Sequence, residues 1–163
     1  MSFSAPALAG TKPEQYAELL AQARGLLGDE RDAVANMANV SALIFTQLPG
    51  LNWAGFYLMK QGELVLGPFQ GKPACIRIAL GRGACGTAAA ERATQVVADV
   101  HAFPGHIACD ADSRSEIVVP LLADGRVIGV LDLDSPHPAR FDEADRAGLE
   151  ALAALLLAAS DFT

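Results

Sequence analysis

The stretch GHIACDADSRSE, residues 105–116, sets Cys109 among acids, small polar residues and a histidine. A free cysteine ordinarily behaves as a small hydrophobe and packs in the core. A polar loop is instead where a thiol does chemistry. A second set of reactive groups follows in RVIGVLDLD, residues 126–134. Strand alternation puts Ile128, Val130, Asp132 and Asp134 on one face, and Val127, Gly129, Leu131 and Leu133 on the other. Two carboxylates on one face of so apolar a strand need partners if buried. Otherwise the strand leaves the sheet there, since Ser135-Pro136 follows at once. Glu116 opens the preceding strand. Pairing about Asp124-Gly125, a strong hairpin signal, brings Glu116 and Asp132 to one end of the sheet, beside the Cys109 loop.

A pocket made of Glu116, Asp132 and Asp134 has few uses. It can hold an ammonium group. It can bind a hard metal ion if further oxygen ligands are present. Or it can keep a carboxyl protonated as a donor, because crowded like charges raise carboxylate pKa values. A thiolate beside acids is disfavoured, so Cys109 needs help from His106, Arg114 or a backbone dipole. That opposes a simple Cys-His hydrolase and suits a reaction using a thiol and an acid together. Sulfoxide reduction is one such reaction. Oxide leaves poorly unless protonated, the attacking cysteine becomes a sulfenic acid, and a second cysteine converts that to a disulfide.

Cys75, in KPACIRIA, and Cys85, in GRGACGTAAA, are the available second thiols, although either alone reads first as structural. Cys85 falls at an expected helix N-terminus, where N–H groups favour a thiolate or a bound anion. Trp53, the single tryptophan, opens a strand with Phe56 and Tyr57 close by. It either packs a core or forms an aromatic wall for a methyl or thioether group. With no Cys-x-x-Cys pair, and only His106 with Cys109 at a ligand-like spacing, no metal is expected.

These residues need a frame. Residues 13–27 carry a helical pattern, with Pro13 in the first turn and Gly28 as the stop. Asp29 is the expected cap of a second helix reaching about Leu48, before Pro49-Gly50. Strands follow at 53–60 and 63–69 about Gln61-Gly62, and a third at 74–80. Residues 81–93 read as a glycine-rich turn into a short helix, 94–100 as extended, and 101–115 as a polar loop. Hairpin strands then precede a helix over about 142–159 capped by Asp142. This order is α+β.

Composition narrows the partners. Apolar residues are 52% of the 163 and charged residues 19%, as in one compact domain. No run of about 18 apolar residues suggests a membrane span, and no secretory signal opens the chain, so a cytoplasmic location is expected. A net charge of −7 disfavours nucleic acid and anionic membranes, and favours small cationic or zwitterionic ligands.

The runs LGPFQGKPACIRIALGRGACGTAAA, TQVVADVHAFPGHIACDADSRSEIVVPL and GVLDLDSP resemble the free methionine-(R)-sulfoxide reductases, enzymes built on a GAF-type domain. The resemblance runs from about Asn52 to Phe141. It implies a GAF-like α+β fold over residues 1–163, with a central antiparallel sheet of about six strands flanked by helices. It also implies reduction of free L-methionine-(R)-S-oxide to L-methionine, with thioredoxin as the external reductant and no bound cofactor. Cys109 is then the nucleophile, Cys75 the resolving residue in a Cys75–Cys109 redox disulfide, and Cys85 an accessory thiol. Glu116, Asp132 and Asp134 are the implied substrate acids, and Trp53 and Tyr57 the implied pocket wall. A homodimer is implied as well. Two competing readings are a GAF-type small-ligand sensor and a redox switch without turnover.

Overall fold

The computed structural model describes residues 3–107 and 109–162; Ala108, within the GHIACD motif, lies outside them. Helix α1, Lys12–Leu27, starts from a reciprocal cap between Thr11 and Glu14 and ends at Gly28. Helix α2, Ala33–Gln47, is capped by Asp32, which accepts from the Ala35 amide at 2.8 Å. The expected cap, Asp29, is displaced because Glu30 turns back onto the amides of Arg31 and Asp32, so the helix starts later.

The remaining elements are β1 (Trp53–Lys60), β2 (Glu63–Gly71), β3 (Arg77–Ala79), α3 (Gly83–Glu91), β4 (Gln95–Val97), β5 (Ser115–Ala123), β6 (Arg126–Ser135) and α4 (Glu143–Ala159). Two are shorter than the sequence suggests. The strand expected at 74–80 shrinks to 77–79, because Cys75 is drawn out of the ladder into a disulfide. The stretch expected extended over 94–100 ends at Val97, because Asp99 caps a short 3-10 turn at Val100–Ala102. Asp142 caps α4 as expected.

The strands form one antiparallel sheet in the order β3-β2-β1-β6-β5-β4. Its two faces differ. On one, Ala54, Phe56, Ile117, Leu131 and Leu133 pack beneath α1, α2 and α4 in an apolar core. On the other, Trp53, Tyr57, Val118 and Val130 pack with Ala84, Cys85 and Ala88 of α3. The helix-covered side also holds a buried polar knot. Asp145, 1% exposed, accepts from Tyr16 Oη and Lys12 Nζ, both at 2.6 Å, and from its own capping partner's amide. Among the described residues no helix is long and apolar enough to cross a membrane.

A β-bulge corrects the alternation expected along β6. Ala123 opposes Arg126 and Leu122 opposes Val127, but Leu121 opposes Gly129, leaving Ile128 without a partner. Ile128 therefore packs on the helix side and Val127 on the α3 side, the reverse of strict period two. Past the bulge, Glu116 opposes Asp134 and Val118 opposes Asp132. Without the extra residue, the turn's register would set Glu116 opposite Leu133, on the helix-covered face. One inserted residue thus assembles the acidic cluster.

Candidate active site

Because β6 runs between β5 and β1, the acids fall in two adjacent rows across the sheet. Glu116, Asp134 and Trp53 form one row, and Val118, Asp132 and Gly55 the next. β6 does not leave the sheet before Pro136; it remains paired to Ser135. Glycine is required at Gly55, where a Cβ would run into Phe69, which stacks on Trp53 at 5.1 Å between ring centroids. Gly86 plays the same part in α3, where a Cβ would meet the Ala79 carbonyl, so only glycine lets this helix close over the acids.

The cleft over this surface is lined by all three acids, by Cys85 and Cys109, and by Trp53 and Tyr57. Cys75 is not in its lining and reaches it through the disulfide to Cys109. Asp132 is 4% exposed, and among the described residues its Oδ1 has no hydrogen-bond partner. Glu116 and Asp134 are half-buried. Burial, aided by the Asp134 charge, raises the Asp132 pKa to about 8. Burial and the Asp132 charge hold the Glu116 carboxyl well above the usual range. Asp134 is raised well above its ordinary value by burial and by Glu116. The cluster therefore retains protons at neutral pH and can donate them.

The cysteines divide into a pair and a single thiol. Cys75 and Cys109, 34 residues apart, form a disulfide with their Cα atoms 5.4 Å apart. Cys85 is free and buried in the first turn of α3, its Sγ 3.9 Å from Glu116 Oε2. The helix terminus does not ionise it: burial, then Asp132 and Glu116, push its pKa well up. Burial and His101 lower the His106 pKa, so this cleft histidine is neutral at pH 7. Arg114 is exposed and does not line the cleft.

Cys85, Glu116 and Asp132 offer ligand atoms within 4.8 Å of one another, a spacing that fits an ion. Cys85 and Asp132 would first have to surrender protons held above neutrality, and the raised Glu116 pKa acts in the same direction, which opposes metal binding there. The N-terminus of α3, which no side chain among the described residues caps, also borders the cleft through Gly83 and Ala84. Acids facing free helix N–H groups suit a zwitterion, with ammonium toward the carboxyls and carboxylate toward the amides.

Side chains that the sequence did not single out hold the site together. Asn52 Nδ2 donates to Asp110 Oδ2 and to Ser113 Oγ, both at 3.0 Å, anchoring the loop just after Cys109. Lys72 reaches Asp112 at 2.6 Å. Asp110, adjacent to Cys109 in sequence, was detectable by that adjacency; Asn52 and Phe69 carry no local signal.

The fold and site define a class. The family model described as GAF domain matches residues 14–159. Free methionine-R-sulfoxide reductase of Escherichia coli is 51% identical over 154 residues, covering 93% of each chain. The X-ray structure of free methionine-R-sulfoxide reductase from Neisseria meningitidis, in complex with its substrate, superimposes with a TM-score of 0.92 at 51% identity. That match covers 96% of this chain and 94% of the other. The structure of fRMsr of Staphylococcus aureus, in complex with substrate, matches with a TM-score of 0.86 at 51% identity, covering 94% and 99%. The chain is a GAF-domain protein and belongs to the free methionine-R-sulfoxide reductase family.

Proposed function

We propose that the protein reduces free L-methionine-(R)-S-oxide to L-methionine, with Cys109 as nucleophile and Cys75 as resolving thiol. The observation that carries this reading is a Cys75–Cys109 disulfide at a cleft lined by three carboxyls whose pKa values burial raises. The Cys109 sulfur adds to the sulfoxide sulfur while a carboxyl of the Glu116–Asp132–Asp134 cluster protonates the sulfoxide oxygen. That oxygen passes to the Cys109 sulfur as the transient S–S bond and the methionine S–O bond break, so the thiol is oxidised by two electrons and the sulfoxide reduced by two. Methionine leaves, and Cys109 holds the oxygen as a sulfenic acid. Cys75 then displaces water and closes the disulfide. An external dithiol, for which thioredoxin is the expected source, returns both thiols. The protein's own sulfurs carry the two electrons, so the cycle needs no bound cofactor.

The cluster serves the substrate twice. One carboxyl gives up its proton and pairs with the ammonium group, and another polarises the sulfoxide oxygen, where charge develops in the transition state. The uncapped start of α3 takes the carboxylate. A methionine sulfoxide inside a peptide has neither terminal charge, which accounts for a preference for the free amino acid. Trp53 supplies an aromatic wall for the S-methyl group. Cys85, a protonated thiol beside Glu116, is a spare reductant.

The test is NADPH consumption with thioredoxin and thioredoxin reductase. It compares free methionine-R-sulfoxide, the free S form and peptide-bound sulfoxide. Consumption with the free R form alone, abolished in Cys109→Ser, is the expected result. A folded, reduced protein that consumes none of them would make this GAF domain a ligand sensor or a redox switch.

A further inference from the structure

The pocket-wall role of Tyr57 uses its ring, which lies 5.9 Å from that of Trp53, and leaves the hydroxyl unaccounted for. That hydroxyl donates to the Cys75 carbonyl at 2.9 Å. The indole N–H of Trp53 donates to the Lys72 carbonyl at 3.2 Å. Both ends of the segment 72–75 therefore hang from side chains of β1, a strand held on both sides by β2 and β6. Residues 74–76 lie outside the strands, and β3 begins only at Arg77, so the ladder does not hold Cys75 directly. Burial and the nearby acids, Asp132 foremost among them, raise the Tyr57 pKa, which keeps the hydroxyl a donor.

We infer that Tyr57 is a positioning residue for the resolving step: its hydroxyl, by holding the Cys75 carbonyl, aims the Cys75 thiol at the Cys109 sulfenic acid. The inference rests on the reductase reading above. In the step itself the Cys75 sulfur attacks the Cys109 sulfur. An S–S bond forms, the S–O bond of the sulfenic acid breaks, and the oxygen leaves with a proton as water. No outside electrons enter. The rate depends on how often the thiol of an otherwise irregular segment meets its target, which is where fixing one carbonyl counts.

The test uses full-length, fully reduced Tyr57→Phe, which keeps the ring and removes only the donor. One equivalent of free methionine-R-sulfoxide is mixed in and the reaction quenched over time. Methionine and the Cys75–Cys109 disulfide are measured separately, and dimedone traps any sulfenic acid. Whatever Tyr57→Phe does to the methionine-forming step, disulfide closure should slow roughly three- to ten-fold more than methionine formation does. The dimedone adduct on Cys109 should rise accordingly. Closure at the wild-type rate, or methionine formation slowed as much as closure, would overturn the inference. Hydrogen peroxide, which makes the sulfenic acid without sulfoxide, provides a second arm. If wild-type protein forms no methionine, the reductase reading fails, yet closure after peroxide still decides the role of Tyr57: slower in Tyr57→Phe supports it, unchanged sinks it.

Discussion

Asp132 and Asp145 are both aspartates buried almost completely, at 4% and 1% exposure, on opposite sides of one sheet. Asp145 is surrounded by donors: Lys12, Tyr16, Arg140 and the Asp142 amide all reach it. It ties α1 to α4. Asp132 sits among other acids and a thiol, and its Oδ1 has no partner among the described residues. A buried carboxyl that only holds a fold is given its partners, because leaving them out is costly. One left without them fits the proposed role of receiving a ligand that brings its own donor. The fold tolerates the cost at Asp132 because the large apolar core lies on the other face.

Exchanging the two roles is the largest test of this contrast. Asp132→Asn should lower turnover about a hundred-fold or more, about 2.7 kcal/mol on the barrier. Urea denaturation should find it as stable as wild type or more so. Loss of stability without loss of turnover would make Asp132 structural after all. Asp145→Ala should do the reverse and cost about 2–3 kcal/mol in urea, with turnover of the folded fraction intact.

The pH dependence is a finer probe. A carboxyl at about 8 in the fold and near its ordinary 3.8 when unfolded binds a proton on folding anywhere between those values. Stability should therefore fall as pH rises across that window, by up to about 1.4 kcal/mol per unit for one such group. Glu116 and Asp134 act in the same direction. Asp132→Asn should flatten the slope measured by urea titrations at several pH values, and an unaltered slope would place the titration elsewhere. The smallest effect belongs to Lys72–Asp112, an exposed ion pair of 2.6 Å. Lys72→Ala should leave the thermal midpoint nearly unchanged.

Much of the frame was legible in local patterns. Pro13 in the first turn, Gly28 as the stop, Asp142 as a cap and the Asp-Gly turn are all short-range signals, and each leads to the element it suggests. Cys109, Glu116, Asp132 and Asp134 were nameable because their residue types are out of place in their surroundings. What misled was regularity. Alternation extended through Ile128 assigns it the wrong face, Asp29 yields its capping place to Asp32, and 74–80 is not one strand. A bulge, a rival side chain and a disulfide each override a local preference from outside the window in which it is read.

The sequence by itself determined which chemistry is available: thiols in polar settings, carboxyls on an apolar strand, and a net charge suited to a zwitterion. Residue types set that, and it holds in any conformation. Only the tertiary structure decided that Glu116 faces Asp134 rather than Leu133, that Cys75 meets Cys109 while Cys85 stays protonated, and that the Tyr57 hydroxyl holds a carbonyl. These follow from register and burial. A single extra residue turns a whole strand segment over, and a carboxyl or thiol takes its pKa from the groups that folding brings around it.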